Sequence, residues 1–229
     1  MIKKALSVIG VVLLLFLLHS CGGKTEQTLL KSYFHAVTLN DNTTMATMAL
    51  KPVALEYESW NIVSSGEERL EAASLSELNK KEMELKKELE DHVGPTVEAQ
   101  DALYVAQDKL DTARTKAARA AAQKELEETQ RKFEEEREIH RQLQKAYNDA
   151  KAESSKEEEI SLFSLGAGEL PNIRDMQGEV SFKDVQVRLG TKSGTKNYMF
   201  RLRRYVLRDE DQGRRYSGRL VIVSIEPIE

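Results

Sequence analysis

Cysteine is almost missing from this chain: Cys21 is the only one in 229 residues. An internal disulfide is excluded, and no Cys/His zinc site can be assembled. Histidine is scarce as well, with four in total, and beyond residue 20 only His35, His92 and His140 remain. A Gly-x-Gly-x-x-Gly turn, a phosphate-binding P-loop and a nucleophile elbow are all missing. The chain therefore reads as a non-enzyme, with no cofactor and no metal expected. Between residues 67 and 159 the only glycine is Gly94 and the only proline is Pro95. That stretch is rich in Ala, Leu, Glu, Lys, Arg and Gln, a composition that favours long helix. The net charge of −4 is small but unevenly spread. Residues 67–159 carry 17 Lys/Arg and 25 Asp/Glu, net −8, whereas residues 183–219 carry 11 Lys/Arg and 4 Asp/Glu, net +7. The helical stretch is acidic and the C-terminal region basic.

The N-terminus is the most specific signal. Met1-Ile2-Lys3-Lys4 is basic, Ala5 to Leu18 is apolar, and Leu18-His19-Ser20-Cys21-Gly22-Gly23 follows directly. The apolar segment is short for a permanent span, which takes about 20 residues, and has the form of a removable signal. Leu18, Ser20 and Cys21 resemble the lipobox of bacterial lipoproteins, with a leucine three residues before the cysteine and a small residue just before it. His19 departs from the pattern, because small or aliphatic residues are commoner there. The resemblance implies a signal peptide over 1–20 and, over 21–24, a lipidated Cys21 with a short tether. Two or three acyl chains anchor stably, since each buried CH₂ contributes roughly 0.8 kcal/mol. It also implies a place in the bacterial cell envelope, lipid-anchored to the membrane and facing the periplasm or exterior, with the outer membrane favoured in a Gram-negative cell. Gly22-Gly23-Lys24 is too short for a stalk, so a folded domain should sit close to the membrane surface.

Residues 25–39 form an amphipathic helix by spacing, with Leu29, Leu30, Tyr33, Phe34 and Val37 on one face. His35 lies beside this stripe and reads as a half-exposed helical residue. Asn40-Asp41-Asn42 is a turn and cap for a short second helix that Pro52 stops. Residues 53–64 read as a strand with a bend near Glu58-Ser59. In the helical arm Leu75, Leu78, Leu85 and Leu89 keep a 3-4 spacing, with Glu82 in a polar core position. Leu103, Ala106, Leu110, Ala113, Ala117 and Ala120 continue it beyond Gly94-Pro95. A weaker stripe runs through Leu126, Phe133, His140, Leu143, Tyr147 and Ala150. Two geometries compete. Gly94-Pro95 is a good local break. An insertion, however, should leave and re-enter its domain at neighbouring points, which places the apex nearer 111–116. Residues 160–178 read as a loop with an apolar start. Segments 179–189, 196–208 and 215–226 read as three strands of an antiparallel meander.

Two helices, a strand, a helical region and three antiparallel strands make an order similar to the NTF2-like (cystatin-like) α+β cone. The resemblance is carried by Leu29-Leu30-Lys31-Ser32-Tyr33-Phe34, the Asn40-Asp41 turn, and Tyr216-Ser217-Gly218-Arg219-Leu220-Val221-Ile222. Leu220 stands where the family often has tryptophan. The resemblance implies an α+β fold with N-terminal helices packed on a curved antiparallel sheet. Its halves would be 25–66 and 160–229, and 67–159 would be a long antiparallel coiled-coil insertion replacing a short third helix.

Some NTF2-like proteins are enzymes with carboxylates in the cone. Here Glu56, Glu58 and Asp184 are the acids nearest the expected sheet, and exposed strand edges are the simpler place for them. Tyr57 and Trp60 are candidates for lining a pocket, with core or rim packing as the plainer alternative. Arg201, Arg203, Arg204, Arg214, Arg215 and Arg219 form a candidate patch for an anionic partner: lipid headgroups, cell-wall polymer, an acidic protein, or the chain's own arm. A solvated sheet face guarding its edges is the bland alternative. Nucleic acid is not expected outside the cytoplasm. The first functional expectation is a structural or adaptor lipoprotein whose arm, 67–159, meets a protein partner or another copy of itself. A small-ligand-binding or enzymatic cone with the arm as lid is the second. A periplasmic adaptor of a secretion or efflux system is the third, although no split lipoyl-like pair flanks the arm.

Overall fold

The computed structural model describes residues 25–228, so the signal segment, Cys21 and the tether lie outside the described residues. The chain is α+β and divides into two compact units. The first unit holds the chain up to Ala73, Ile160–Leu170, and everything from Gly178 onward. The second holds Ser74–Glu159 and Pro171–Gln177. Among the described residues no helix is long and apolar enough to cross a membrane.

The first unit contains α1 (Thr25–Thr38), α2 (Asn42–Met48), β1 (Ser59–Ser65), β2 (Arg69–Ala72), β3 (Gln177–Thr191), β4 (Gly194–Asp209), β5 (Arg214–Ser217) and β6 (Val221–Ile228). Asp41 caps α2 by accepting from the Thr44 N–H at 3.0 Å. β3 and β4 are the two long central strands. Both β1 and β2 pair antiparallel with β3, and both β5 and β6 pair antiparallel with β4. Each long strand is thus flanked by two short ones laid along its length. The sheet curls into a half-barrel, and bulges at Ile62/Ser64 and Arg201/Leu202 add local bend.

The predicted face of α1 forms the core. Leu30, Tyr33, Phe34 and Val37 pack with Val185, Val187, Leu189, Phe200, Leu202 and Ile222. Each large apolar side chain buried here contributes about 1.5–3 kcal/mol. A second anchorage is polar. Ser164, near the end of the long helix α5 (Lys116–Leu165), accepts the Tyr205 N–H at 3.1 Å and donates its hydroxyl proton to the Arg219 carbonyl at 2.8 Å. Gly218 lies against this joint, and a Cβ there would come within 2.8 Å of the Tyr205 carbonyl. Gly178 is tighter still: a Cβ would stand 2.1 Å from the Val206 carbonyl oxygen. Both positions need the missing side chain.

Several boundaries differ from those expected. Residues 53–58 are not strand, and at their start Val53 gives both backbone polar groups to a side chain of α1. The Tyr33 hydroxyl accepts from the Val53 N–H at 2.9 Å and donates to its carbonyl at 3.0 Å, and the Tyr57 hydroxyl donates to the Phe34 carbonyl at 2.7 Å. Residues 69–72, expected in the arm, are strand β2, with Arg69 opposite Phe182 and Ala72 opposite Glu179. The stretch of β3 left unpaired by β1 overrides a helical composition. Residues 160–165, expected as loop, continue α5. The expected last strand is two, β5 and β6, interrupted where Gly218 meets Ser164.

The second unit contains α3 (Leu75–Asp91), α4 (Val93–Thr112), the greater part of α5, and a 3-10 turn at Ile173–Asp175. Contacts between α3–α4 and α5 step in opposite directions along the chain: Lys109 with Glu125 at 2.5 Å, His92 with Glu136 at 3.0 Å, Lys81 with Glu153 at 3.8 Å. This is an antiparallel helical hairpin, and its reversal lies at Ala113-Arg114-Thr115. Ala113 is extended there (φ −67°, ψ 112°), and the Thr115 hydroxyl accepts from the Ala118 N–H at 3.1 Å to cap α5.

Gly94-Pro95 is therefore a kink within one limb and not the apex. The physical reason is position. Pro95 falls in the first turn of α4, where a missing N–H removes no intrahelical bond. The alanine seam changes with it: Ala106 is buried, but Ala117 and Ala120 lie past the reversal and are exposed, and α5 resumes the seam at Ala122.

Candidate functional site

Four features outside the main core have chemistry in them. The first lies in the hairpin unit, where Glu82 is buried and the side chain of Arg174 is 29% exposed. The Ser154 hydroxyl donates to Glu82. Arg174 donates from Nη1 to Glu82 at 2.8 Å and in a fork from Nε and Nη2 to Glu158, both at 2.8 Å. The Glu158 bond is the main reason the guanidinium is held above its ordinary pKa, against partial desolvation, with the Glu82 charge adding to it. The network joins the 171–177 segment to α3 and α5. Each charge of the network has a partner, so the network ties the three elements together.

The second feature is at the kink. His92 faces Glu136, the His92 and His140 rings lie 6.0 Å apart, and His140 Nδ1 is buried with no partner among the described residues. Among the described residues no group of three or more His, Cys, Asp or Glu is placed to hold a metal ion.

The third is an open cleft of about 900 Å³ in the first unit, lined among others by Thr38, Glu56, Tyr57, Lys192, Lys196 and Tyr198. Tyr57 belongs to it. Trp60 is not part of its lining and stacks on Phe34 at 4.6 Å, while Tyr57 meets the same ring edge-on at 5.1 Å. The Tyr57 hydroxyl is also within 2.6 Å of the Thr38 hydroxyl. Glu56 and Glu58 are among the lining of the cleft, whereas Asp184 lies on β3, where its backbone carbonyl accepts the Gly66 N–H at 2.8 Å.

Four arginines of the candidate patch have partners nearby. Arg201 pairs with Glu226 at 3.1 Å, and Arg204 with Glu68 at 3.2 Å. Arg203 lies over the Phe182 ring at 4.7 Å and donates to the Tyr205 hydroxyl at 3.1 Å. Arg219 covers the Phe163 ring at 5.3 Å. Arg214 and Arg215 are exposed on β5, and Arg215 stands directly opposite Arg208. Four of the six candidate arginines thus have local partners, while Arg215, directly opposite Arg208, sets two positive side chains next to each other on one face of the sheet.

The fourth feature was not singled out from sequence. On α4, Val93, Val97 and Tyr104 are 48%, 47% and 63% exposed. Their spacing of four and seven residues puts them on one face, rotated by about 120° from the inward line of Leu103, Ala106 and Leu110 at 3.6 residues per turn. Heptad spacing would have found this stripe, but it competes in sequence with the stronger Leu/Ala seam beside it.

Sequence reading also missed a buried ion pair. Glu26, 2% exposed, meets Lys183 at 2.9 Å and accepts from the Ser65 hydroxyl at 3.2 Å. Burial pushes the Glu26 carboxyl up, but the Lys183 bond and charge, its own backbone N–H and Ser65 outweigh it, so its pKa lies below the ordinary carboxylate value. A depressed folded-state pKa gives stability that is present above the unfolded pKa and lost as pH falls through the folded one. Glu26→Gln should therefore destabilise the first unit at neutral pH by about 1–3 kcal/mol. The gap between variant and wild type should shrink on acidification below pH 4.5, the ordinary carboxylate value. Urea denaturation across that range measures it.

No protein-family model, no curated protein and no solved structure matches this chain. Its function is assigned on these residues alone.

Proposed function

We propose that this chain is a lipid-anchored adaptor of the bacterial cell envelope, in which an α+β domain of the NTF2-like cone type carries a coiled-coil hairpin that binds a protein partner. The observation that supports it best is the outer face of α4. Val93, Val97 and Tyr104 are exposed there, on a helix whose inner face is already used for hairpin packing. A contiguous apolar patch is the usual mark of an interaction surface, and these three side chains share one helix face. The membrane attachment rests on the lipobox-like Leu18-His19-Ser20-Cys21.

A second reading, small-ligand binding by the cone, is favoured by the open cleft beside Tyr57 and Tyr198. A ligand held there would raise the thermal stability of the first unit in proportion to its occupancy.

Replacing residues 97–132 with a short turn tests the adaptor reading. The exchange keeps the Glu82–Arg174–Glu158 network and the His92–Glu136 pair. Reversible cross-linking in intact cells, followed by pull-down, should recover the envelope partner at least tenfold less from this variant than from wild type. Equal recovery would refute the adaptor reading.

A further inference from the structure

Arg208 and Arg215 share one end of the sheet in the first unit. We propose that this end rests on the anionic phosphate headgroups of the membrane that holds the lipid anchor. The inference rests on the lipid anchorage of the proposed function and adds to it the face that the membrane meets.

Charge is the first observation. Arg208 and Arg215 are direct partners across the β4–β5 ladder, and both are exposed. Side chains so placed stand about 5 Å apart at Cβ, and like charges there destabilise the pairing. Among the described residues no acid forms an ion pair with either guanidinium. Asp209 does not serve: it is buried, its carboxylate accepts the Gln212 N–H at 3.0 Å, and alternation puts it on the other face. Glu210 and Asp211 lie in the turn beyond the ladder. Two positive charges held abreast without a counter-charge fit an anion supplied from outside, and the arginine fork matches phosphate oxygens.

The path of the chain says which anion. Alternation puts Phe200, Leu202, Arg204, Val206 and Arg208 on one face of β4. The bulge beside Leu202 takes its extra residue from β6, so β4 keeps this alternation. Helix α1 covers Phe200 and Leu202. Its first turn is where Glu26 meets Lys183 and Ser65. Its far end, Thr38, meets Tyr57 beside the cleft lined by Lys196 and Tyr198. The start of α1 therefore points along β4 toward Arg208. Beyond it on the same face come Arg204, held with Ser181 by Glu68, half-buried Val206, and exposed Arg208. The other face at this level is taken, because Tyr205 and Leu207 are buried and Ser164 accepts the Tyr205 N–H.

Distance then brings the anchor and the arginines together. Leu202 to Arg208 spans about 20 Å at 3.4 Å per residue. Cys21 precedes Thr25 by four residues, a reach of at most about 14 Å. A lipid attached there keeps this end of the sheet at headgroup level. Near an anionic leaflet each arginine contributes about a fivefold preference, so the pair contributes roughly twenty-fivefold.

The purified, lipidated full chain tests this in vesicles of phosphatidylcholine alone and of phosphatidylcholine with phosphatidylglycerol in equal parts. A fluorophore on Ser217→Cys, on the same face of β5 as Arg215, reports contact through quenching by a lipid with a nitroxide headgroup. Quenching should be about fivefold or more stronger in the anionic vesicles. The same fluorophore on Thr195→Cys, at the far end of β4, should be quenched weakly and equally in both. Arg208→Gln with Arg215→Gln should bring Ser217 down to its neutral-vesicle level, as should salt at about 1 M, where the Debye length is about 3 Å. Arg208→Lys with Arg215→Lys should keep most of the quenching. The urea midpoint of the glutamine pair should equal or exceed that of wild type, since a like-charge pair has been removed, which separates lost contact from lost folding.

Equal quenching at Ser217 in neutral and anionic vesicles, equal quenching at Ser217 and Thr195, or quenching that survives both glutamines overturns the contact and returns the arginines to a protein or polymer partner. If the chain still floats with the vesicles in any of these cases, the orientation is wrong and the anchorage stands. A chain whose mass shows no acyl group at Cys21 overturns the anchorage itself, and the orientation with it.

Discussion

Serine in place of Cys21 is expected to abolish labelling by radioactive palmitate completely and to leave a chain that keeps its first twenty residues. The expectation follows from the physical role of a single cysteine in this position. Nothing else in the sequence uses a thiol: no second cysteine exists for a disulfide. The residue follows an apolar segment too short to be a durable span and precedes a glycine pair. A thioether to a diacylglycerol group plus an amide-linked chain would bury dozens of methylenes at roughly 0.8 kcal/mol each, far beyond the reversible binding given by one myristoyl chain. The oxygen of serine cannot take the place of the sulfur nucleophile, so the effect is all or none. Labelling of the serine variant at the wild-type level would remove the anchor from the account.

The second large effect is expected at Arg174. Its guanidinium neutralises buried Glu82 and grips Glu158 with a two-pronged contact. Arg174→Met keeps much of the side chain's volume but leaves the buried Glu82 carboxylate, bonded to the Ser154 hydroxyl, without its guanidinium partner. Breaking one side of a buried pair costs about 3–5 kcal/mol, and the lower end applies because the Arg174 side chain is 29% exposed. The loss should appear as a reduced urea midpoint for the helical signal. Adding Glu82→Leu should restore most of it, since removing both charges removes the unpaired one. A double variant as unstable as the single one would mean that Arg174 acts through packing and not through charge.

The parts of this fold that were legible in sequence are those whose signals are local and periodic. The α1 stripe of Leu30, Tyr33, Phe34 and Val37 is the buried face observed, because 3.6-residue spacing and burial are the same fact seen twice. The helical composition of the arm was equally plain. The point of reversal was not, because Gly94-Pro95 carries the residues of a helix stop and occupies a helix start, where they are harmless. Strand β2 was hidden for a different reason: Arg69-Leu70-Glu71-Ala72 has no strand pattern of its own and is strand only because β3 offers an unpaired edge. The candidate site was the least legible. The arginines looked like one patch in sequence, yet Glu226, Glu68, Phe182 and Phe163 each take one of them. These partners come from other strands, from the turn between β1 and β2, or from α5, and no local rule brings them near. Val93, Val97 and Tyr104 were visible as letters, but which helical face is spare depends on knowing which one the hairpin has already used.

The central claim, that the hairpin and not the cleft is the working surface, is tested most directly by mapping cross-links residue by residue on the full chain in its native membrane. A photo-reactive amino acid placed in turn at Val97, Tyr104, Tyr57 and Lys192 gives the comparison, with mass spectrometry identifying what each captures. Protein adducts concentrated at Val97 and Tyr104, with little at Tyr57 and Lys192, are the predicted result. Adducts concentrated at Tyr57 and Lys192, with Val97 and Tyr104 silent, would contradict it.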